Sequence, residues 1–200
     1  MPYIHSLDAP GVDDLKASLR TNFELRMVYH GKQPPPSQPT ARLLFAYLLV
    51  VDKAVREYVT GDSALLKHIH DKGGTASFIE GVGHFETCVN TLKRALRLIT
   101  MLGTKSDAPA FDRTLRKLAH ARSEEITHVR DAIEHIDRDI LSGLQEGEAH
   151  LLTVDQAGEK LQITKHEIPF RALHTTIGAL YKAGLDMIDA LPNVTQACDA

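Results

Sequence analysis

Apolar and polar positions along this chain alternate mostly with the three-and-four spacing of helices. After Thr40, a suitable N-cap, the residues Leu43, Leu44, Ala46, Tyr47, Leu48, Val50 and Val51 are apolar almost all round, which predicts a central core helix that stops at Gly61. A short helix is expected over 63–70, broken at Gly73-Gly74, and then a longer one from about Ser77 to Leu102, stopped by Gly103. Before these, a first helix is expected to start near Pro10, with Asp13 and Asp14 at its positive end, and to finish by Gly31. The prolines of 31–39 lack amide donors and push their predecessors toward extended shapes, so this segment reads as a stiff connector.

The stretch 111–141 is helical and charged, with a restart at Ser123, where Ser-Glu-Glu supplies a cap and first-turn acids. Beyond Gly143 the period changes to two. Leu151-Leu152-Thr153-Val154 and Leu161-Gln162-Ile163-Thr164, joined by a turn containing Gly158, predict one small β-hairpin at about 150–167. A final amphipathic helix follows Pro169 to about Leu191. The expected fold class is therefore mainly α: a single-domain helical bundle over 1–191 with one small β-hairpin before the C-terminal helix, and a polar tail at 192–200.

Composition narrows this picture. With 200 residues, 43% of them hydrophobic, one core suffices, since chains of this length bury about 70% of their unfolded surface. Cys88 and Cys198 have neither disulfide nor zinc spacing. The longest apolar run, 43–51, falls far short of the roughly 20 residues of a membrane span, and Met1-Pro2-Tyr3 does not open a secretory signal, so a cytoplasmic protein without membrane contact is expected. The net charge of −3 does not suit a strongly basic nucleic-acid-binding domain, so an RNA site would have to be a local patch. Phosphate-cradling loops, dinucleotide-binding glycine motifs and nucleophile elbows are absent from the sequence.

Candidate chemistry concentrates in one helix. Ile126, Val129, Ile133, Ile136 and Ile140 form a stripe, with Arg130, Glu134 and Asp137 on one flank and Asp131 and His135 away from the stripe's centre. Cleaving RNA with its own 2′-hydroxyl needs a group that moves protons and a cation that stabilises charge on the phosphorane. Histidine titrates in the right range, and the planar guanidinium of arginine suits a phosphate. His135 is the candidate for the first role and Arg130 for the second. Asp131, one turn before His135, would orient the imidazole, and Arg138 and Arg122 would bind substrate phosphate. On a regular helix residues five apart diverge by about 140°, so Arg130 has to reach around to His135.

Arg130-Asp131-Ala132-Ile133-Glu134-His135 resembles the signature of the HEPN superfamily, in which an arginine, a polar residue and then a histidine follow with four to six residues between the charged pair. Arg113 with His120 and Arg122 with His128 share the spacing but are followed by Thr114 and Ser123 rather than Asn, Asp or His. The resemblance implies a metal-independent ribonuclease without a cofactor, acting on RNA in a toxin or defence role. It also implies a homodimer that pools the motifs of two copies, with an antitoxin or regulatory protein as a further partner class. In one branch of that superfamily a tyrosine follows the histidine by two residues and is modified by the antitoxin. Here the position is Asp137, so that control mechanism is not carried over.

A second reading uses the same residues. Arg130, Glu134 and Arg138 at four-residue spacing also describe a surface salt-bridge ladder, in which case the chain is a catalytically silent helical homodimer serving as a nucleotide- or protein-binding module. Two further groups of residues stay open. His68 and His70 are two apart and point in opposing directions on a helix, which argues against a shared metal. Arg94, Arg97, Arg113, Arg116, Lys117 and Arg122 form either a phosphate-binding face or a solvated helix surface.

Overall fold

The structure, a computed structural model, describes residues 4–15, 18–29, 37–141 and 149–191. Most of the proline-rich connector and the tail 192–200 lie outside these residues. The centre is formed by two long helices, α2 (Gln38–His70) and α3 (Thr75–Leu102), which run back against each other over the largest interface in the chain. Around them stand α1 (Leu19–Tyr29), α4 (Arg113–His120), α5 (Ser123–Glu134), α6 (Ile136–Leu141) and α7 (Phe170–Asp189). The fold is mainly α with a small antiparallel sheet before the last helix, and a continuous set of buried side chains runs from Ile4 to Leu191.

Three elements differ from the sequence expectation for identifiable reasons. The helix expected to stop at Gly61 runs on to His70 and absorbs the short segment after it. Gly61 is used for close packing: a Cβ there would lie 3.1 Å from the Gly81 carbonyl oxygen and 2.9 Å from Phe85 Cδ2. A glycine inside a helix costs about 1 kcal/mol against alanine, an amount that close packing of two long apolar helices offsets. The expected first helix is instead a 3₁₀ turn at Asp13–Leu15 followed by α1. The start of α1 is set from a distance, because Asp52 accepts from the Leu19 and Arg20 amides (2.9 and 3.0 Å) and from the Ser18 hydroxyl (2.8 Å). Lastly, the hairpin gains a third strand.

The sheet comprises β1 (Ala149–Val154), β2 (Lys160–Thr164) and β3 (His166–Pro169), antiparallel in that order. Val154 pairs with Leu161, and Leu161 with Ile168. Leu152, Val154, Leu161, Ile163 and Ile168 all face inward onto the helices, as period-two alternation requires. His-Glu-Ile-Pro is too short and polar to read as a strand alone. It becomes one because β2 offers it an edge and Ile168 a place in the core.

Thr40 does not cap α2. Ser37 is the N-cap, and Thr40 lies buried in the first turn, donating to Asp107 Oδ1 at 2.8 Å, while the Ser37 amide donates to Asp107 Oδ2 at 2.8 Å. Hydrogen bonds from Ser37 and Thr40 lower the Asp107 carboxyl to about 2. A carboxyl whose folded value lies below its unfolded one contributes stability above the unfolded value and loses it as pH falls toward the folded one. Asp107→Ala is therefore expected to lower the denaturation midpoint at pH 5–7, with the difference from the parent closing between pH ~4 and ~2. A gap that stays constant with pH would show that the carboxylate's charge is not what acts.

Candidate functional site

The helix α5 seats itself through Ile126, Val129 and Ala132, all buried against α3 and the sheet. Ile133 and Ile136 are partly buried against the same core, but Ile140 is 52% and Leu141 87% exposed. The apolar stripe read from the sequence thus stops contributing to the core one turn before α6 ends. Glu124 and Glu125 occupy the first turn of α5, where the helix dipole favours them.

His135 lies in neither helix. It is the C-cap of α5 at φ −117° and ψ 16°, its amide donating to the Asp131 carbonyl at 3.0 Å, and α6 begins at the next residue. The regular 100° step ends at this residue, so the 140° divergence expected between Arg130 and His135 no longer fixes their relation. The His135 side chain is exposed, and among the described residues its ring has no hydrogen-bond partner.

Arg130 is one-third exposed and already engaged. Its Nη1 donates to Asp131 Oδ1 at 2.9 Å, and its Nη2 pairs with Glu134 Oε1 one turn on. Asp131 therefore holds the guanidinium and not the imidazole that the sequence reading gave it. Two carboxylates around one guanidinium leave this end of α5 acidic. Arg138 is exposed on α6, within one turn of His135. Arg122 is the N-cap of α5 and pairs with Glu125 at 2.5 Å. At 1.5 Å rise per residue it lies about 20 Å along the helix from His135, so it does not join the motif within one copy.

No family model, curated protein or solved structure matches this chain. Its function therefore has to be argued from its own residues.

The two neighbouring histidines considered for a metal diverge. His68 is buried, its Nδ1 3.0 Å from the Gly74 carbonyl and its ring against Phe78, while exposed His70 sits 3.0 Å from Asp71. Among the described residues no three metal-ligating side chains come together, and no helix is long and apolar enough to cross a membrane.

Sequence reasoning missed a recess at the other end of α5. Lys93 on α3 donates to Thr127 Oγ1 at 2.5 Å, and Thr127 in turn donates to the Ser123 carbonyl at 2.6 Å. Nearby, the Thr100 hydroxyl lies 2.9 Å from the Leu96 carbonyl and 3.0 Å from His120 Nε2 on α4. These groups and exposed Arg97 border a cavity of about 440 Å³. Burial, with Arg116 and Lys93 close by, lowers the His120 pKa below its usual range. The partners are 20 and 34 residues apart in sequence, so no local spacing announces them.

Proposed function

We propose that this chain is a metal-independent RNA endonuclease of the HEPN type, working as a homodimer. The observation that supports it most is the exposed imidazole of His135, without a partner among the described residues, at a helix break next to the turn that carries Arg130. An imidazole in that position reaches solvent and so is open to a substrate hydroxyl or leaving oxygen.

The chemistry follows from these groups. His135 takes the proton of a 2′-hydroxyl, whose oxygen attacks the adjacent phosphorus. The bond to the 5′-oxygen breaks, and that oxygen takes a proton from the imidazolium of a second copy. The products are a 2′,3′-cyclic phosphate and a 5′-hydroxyl. Arg130 has five N–H donors, of which Asp131 and Glu134 occupy two, and the others face the charge growing on phosphorus. Because those two carboxylates outweigh one guanidinium, a single copy repels phosphate at this point. A second copy supplies the imidazolium that protonates the leaving 5′-oxygen, which is the chemical argument for a dimer. An RNA-cutting enzyme that needs no metal cannot be restrained by withholding one, and a regulatory or antitoxin protein would take that part.

The test compares the parent with His135→Ala and Arg130→Ala, each shown to be folded by circular dichroism, on RNA in the presence of a chelator. The parent is expected to cut and His135→Ala to lose about 10²-fold or more, the usual scale of general acid–base catalysis. Equal cutting by all three proteins, or none by the parent, rules the site out.

One observation favours a second reading, a catalytically silent helical homodimer that binds a nucleotide or protein: the Arg130–Asp131–Glu134 cluster is what an ordinary helix-surface ladder looks like. A folded parent protein that is dimeric and inert toward RNA is the result that selects it.

A further inference from the structure

The cleavage motif is too acidic to attract RNA alone, so the attraction has to come from elsewhere on the chain. Arg20 pairs with Glu24, Arg26 with Asp189, Lys160 with Glu167 and Arg171 with Asp8, whereas among the described residues Arg42, Lys53, Arg56, Lys67 and Lys72 have no carboxylate at ion-pair distance. Among the described residues, Lys93, Arg94, Arg97, Arg113, Arg116 and Lys117 on α3 and α4 have no carboxylate partner. Of these, Lys93 and Arg97 border the recess with Thr100, His120 and Thr127, and Arg116 acts on His120 beside them.

We propose that this recess between α3, α4 and α5 holds a backbone phosphate of the single-stranded RNA cut at His135, an assignment that rests on the ribonuclease reading. Its donors suit a phosphate: the Lys93 ammonium, held in place by Thr127, and the Arg97 guanidinium, which has no partner among the described residues, whereas the hydroxyls of Thr100 and Thr127 already donate to backbone carbonyls. Glu124 also borders it, but its carboxylate is 85% exposed at the rim and 4.0 Å from His128 Nε2. The His120 pKa is lowered by burial first and then by Arg116 and Lys93, which places two cations beside the recess.

The helix α5 connects the recess to the motif. Ser123, Thr127, Arg130 and Glu134 stand at spacings of four, three and four, so they share one face of that helix. Thr127 and His135 are about 12 Å apart along its axis. A strand lying along this face would rest one phosphate in the recess and present a downstream one to Arg130. Arg94 on α3 and Arg113, Arg116 and Lys117 on α4 add more positive charge on the two helices that form the recess than one free phosphate needs, which favours a polyanion over a mononucleotide.

The test measures binding of a short fluorescein-labelled single-stranded RNA to full-length His135→Ala protein over a range of KCl concentrations. Lys93→Gln and Arg97→Gln are made in that background, with Arg20→Gln as a control on α1. Each recess variant is expected to bind at least severalfold more weakly, with the slope of log affinity against log salt falling by about 0.7 for one lost phosphate contact. Arg20→Gln is expected to bind as its parent does. Unchanged affinity and slope in Lys93→Gln and Arg97→Gln, or no RNA binding at all, overturns the proposal. So does competition by inorganic phosphate or AMP at concentrations matching the RNA affinity, which would make the recess a small-anion site. Cleavage by the His135-intact protein is scored separately. Recess-dependent binding without cleavage keeps the recess and rejects the ribonuclease, and cleavage with recess-independent binding does the reverse.

Discussion

Phe85→Ala is expected to destabilise the protein by about 3–5 kcal/mol, the range for emptying a phenylalanine site in a packed core. Phe85 on α3 is fully buried between two other rings, edge-on to Tyr58 of α2 at 5.4 Å and tilted against Phe170 of α7 at 4.9 Å. It thus ties the two central helices to α7. The same ring closes over Gly61, where a Cβ would come within 2.9 Å of it. That geometry sharpens the prediction. Gly61→Ala alone should destabilise by overpacking, about 1–3 kcal/mol, but in the Phe85→Ala background the new methyl enters the cavity and should cost much less. Urea denaturation of the two single variants and the double variant measures the coupling, and strictly additive losses would show that the ring does not hold α2 and α3 together.

What the sequence disclosed about the fold follows from how local each determinant is. Three helices and two strands were legible because their apolar periods are long and their ends carry Gly or Pro. The break at His135 was not, because Ile133, Ile136 and Ile140 continue the three-and-four spacing straight across it while only the first two of them reach the core. Spacing records which side chains are apolar and does not record whether the core still lies beneath them. The caps supplied by Asp52 and Asp107 come from 33 and 67 residues away, beyond the reach of any N-cap pattern.

The candidate site divides along the same line. Glu134, four residues after Arg130, was legible as an ion-pair partner from spacing. Asp131's choice between Arg130 and His135 was not, because both lie within reach on a helix and only the break at His135 withdraws one of them. The recess needed three helices to be assembled first. Its cations were visible as a list of charges, but whether they were paired or open depends on where the acidic residues of α5 face.

Gly158→Ala should be among the most damaging single-methyl additions in the chain. Gly158 closes the β1–β2 turn at φ +71°, a conformation that costs an L-residue roughly 1–2 kcal/mol. Space is a further obstacle, since a Cβ there would sit 1.8 Å from the Ser6 carbonyl oxygen, part of a backbone with no rotamer to yield. The turn and the N-terminal segment are bound to each other: the Asp8 amide donates to the Gly158 carbonyl at 2.7 Å, and Arg171 on α7 holds the Asp8 carboxylate through two nitrogens at 3.0 and 3.1 Å. Relieving the clash means lifting residues 6–8 off the turn, which loses that hydrogen bond and loosens fully buried Ile4. The combined loss is expected at about 3 kcal/mol or more, a fall in Tm of about 6–12 °C for a chain of this size. Hydrogen exchange should localise the damage, with the amides of Asp8 and of the β1–β2 turn exchanging faster while those of α2 and α3 stay protected below the global unfolding limit. A fall of less than 2 °C with unchanged exchange at Asp8 would mean that the turn and the N-terminal segment are not packed as described.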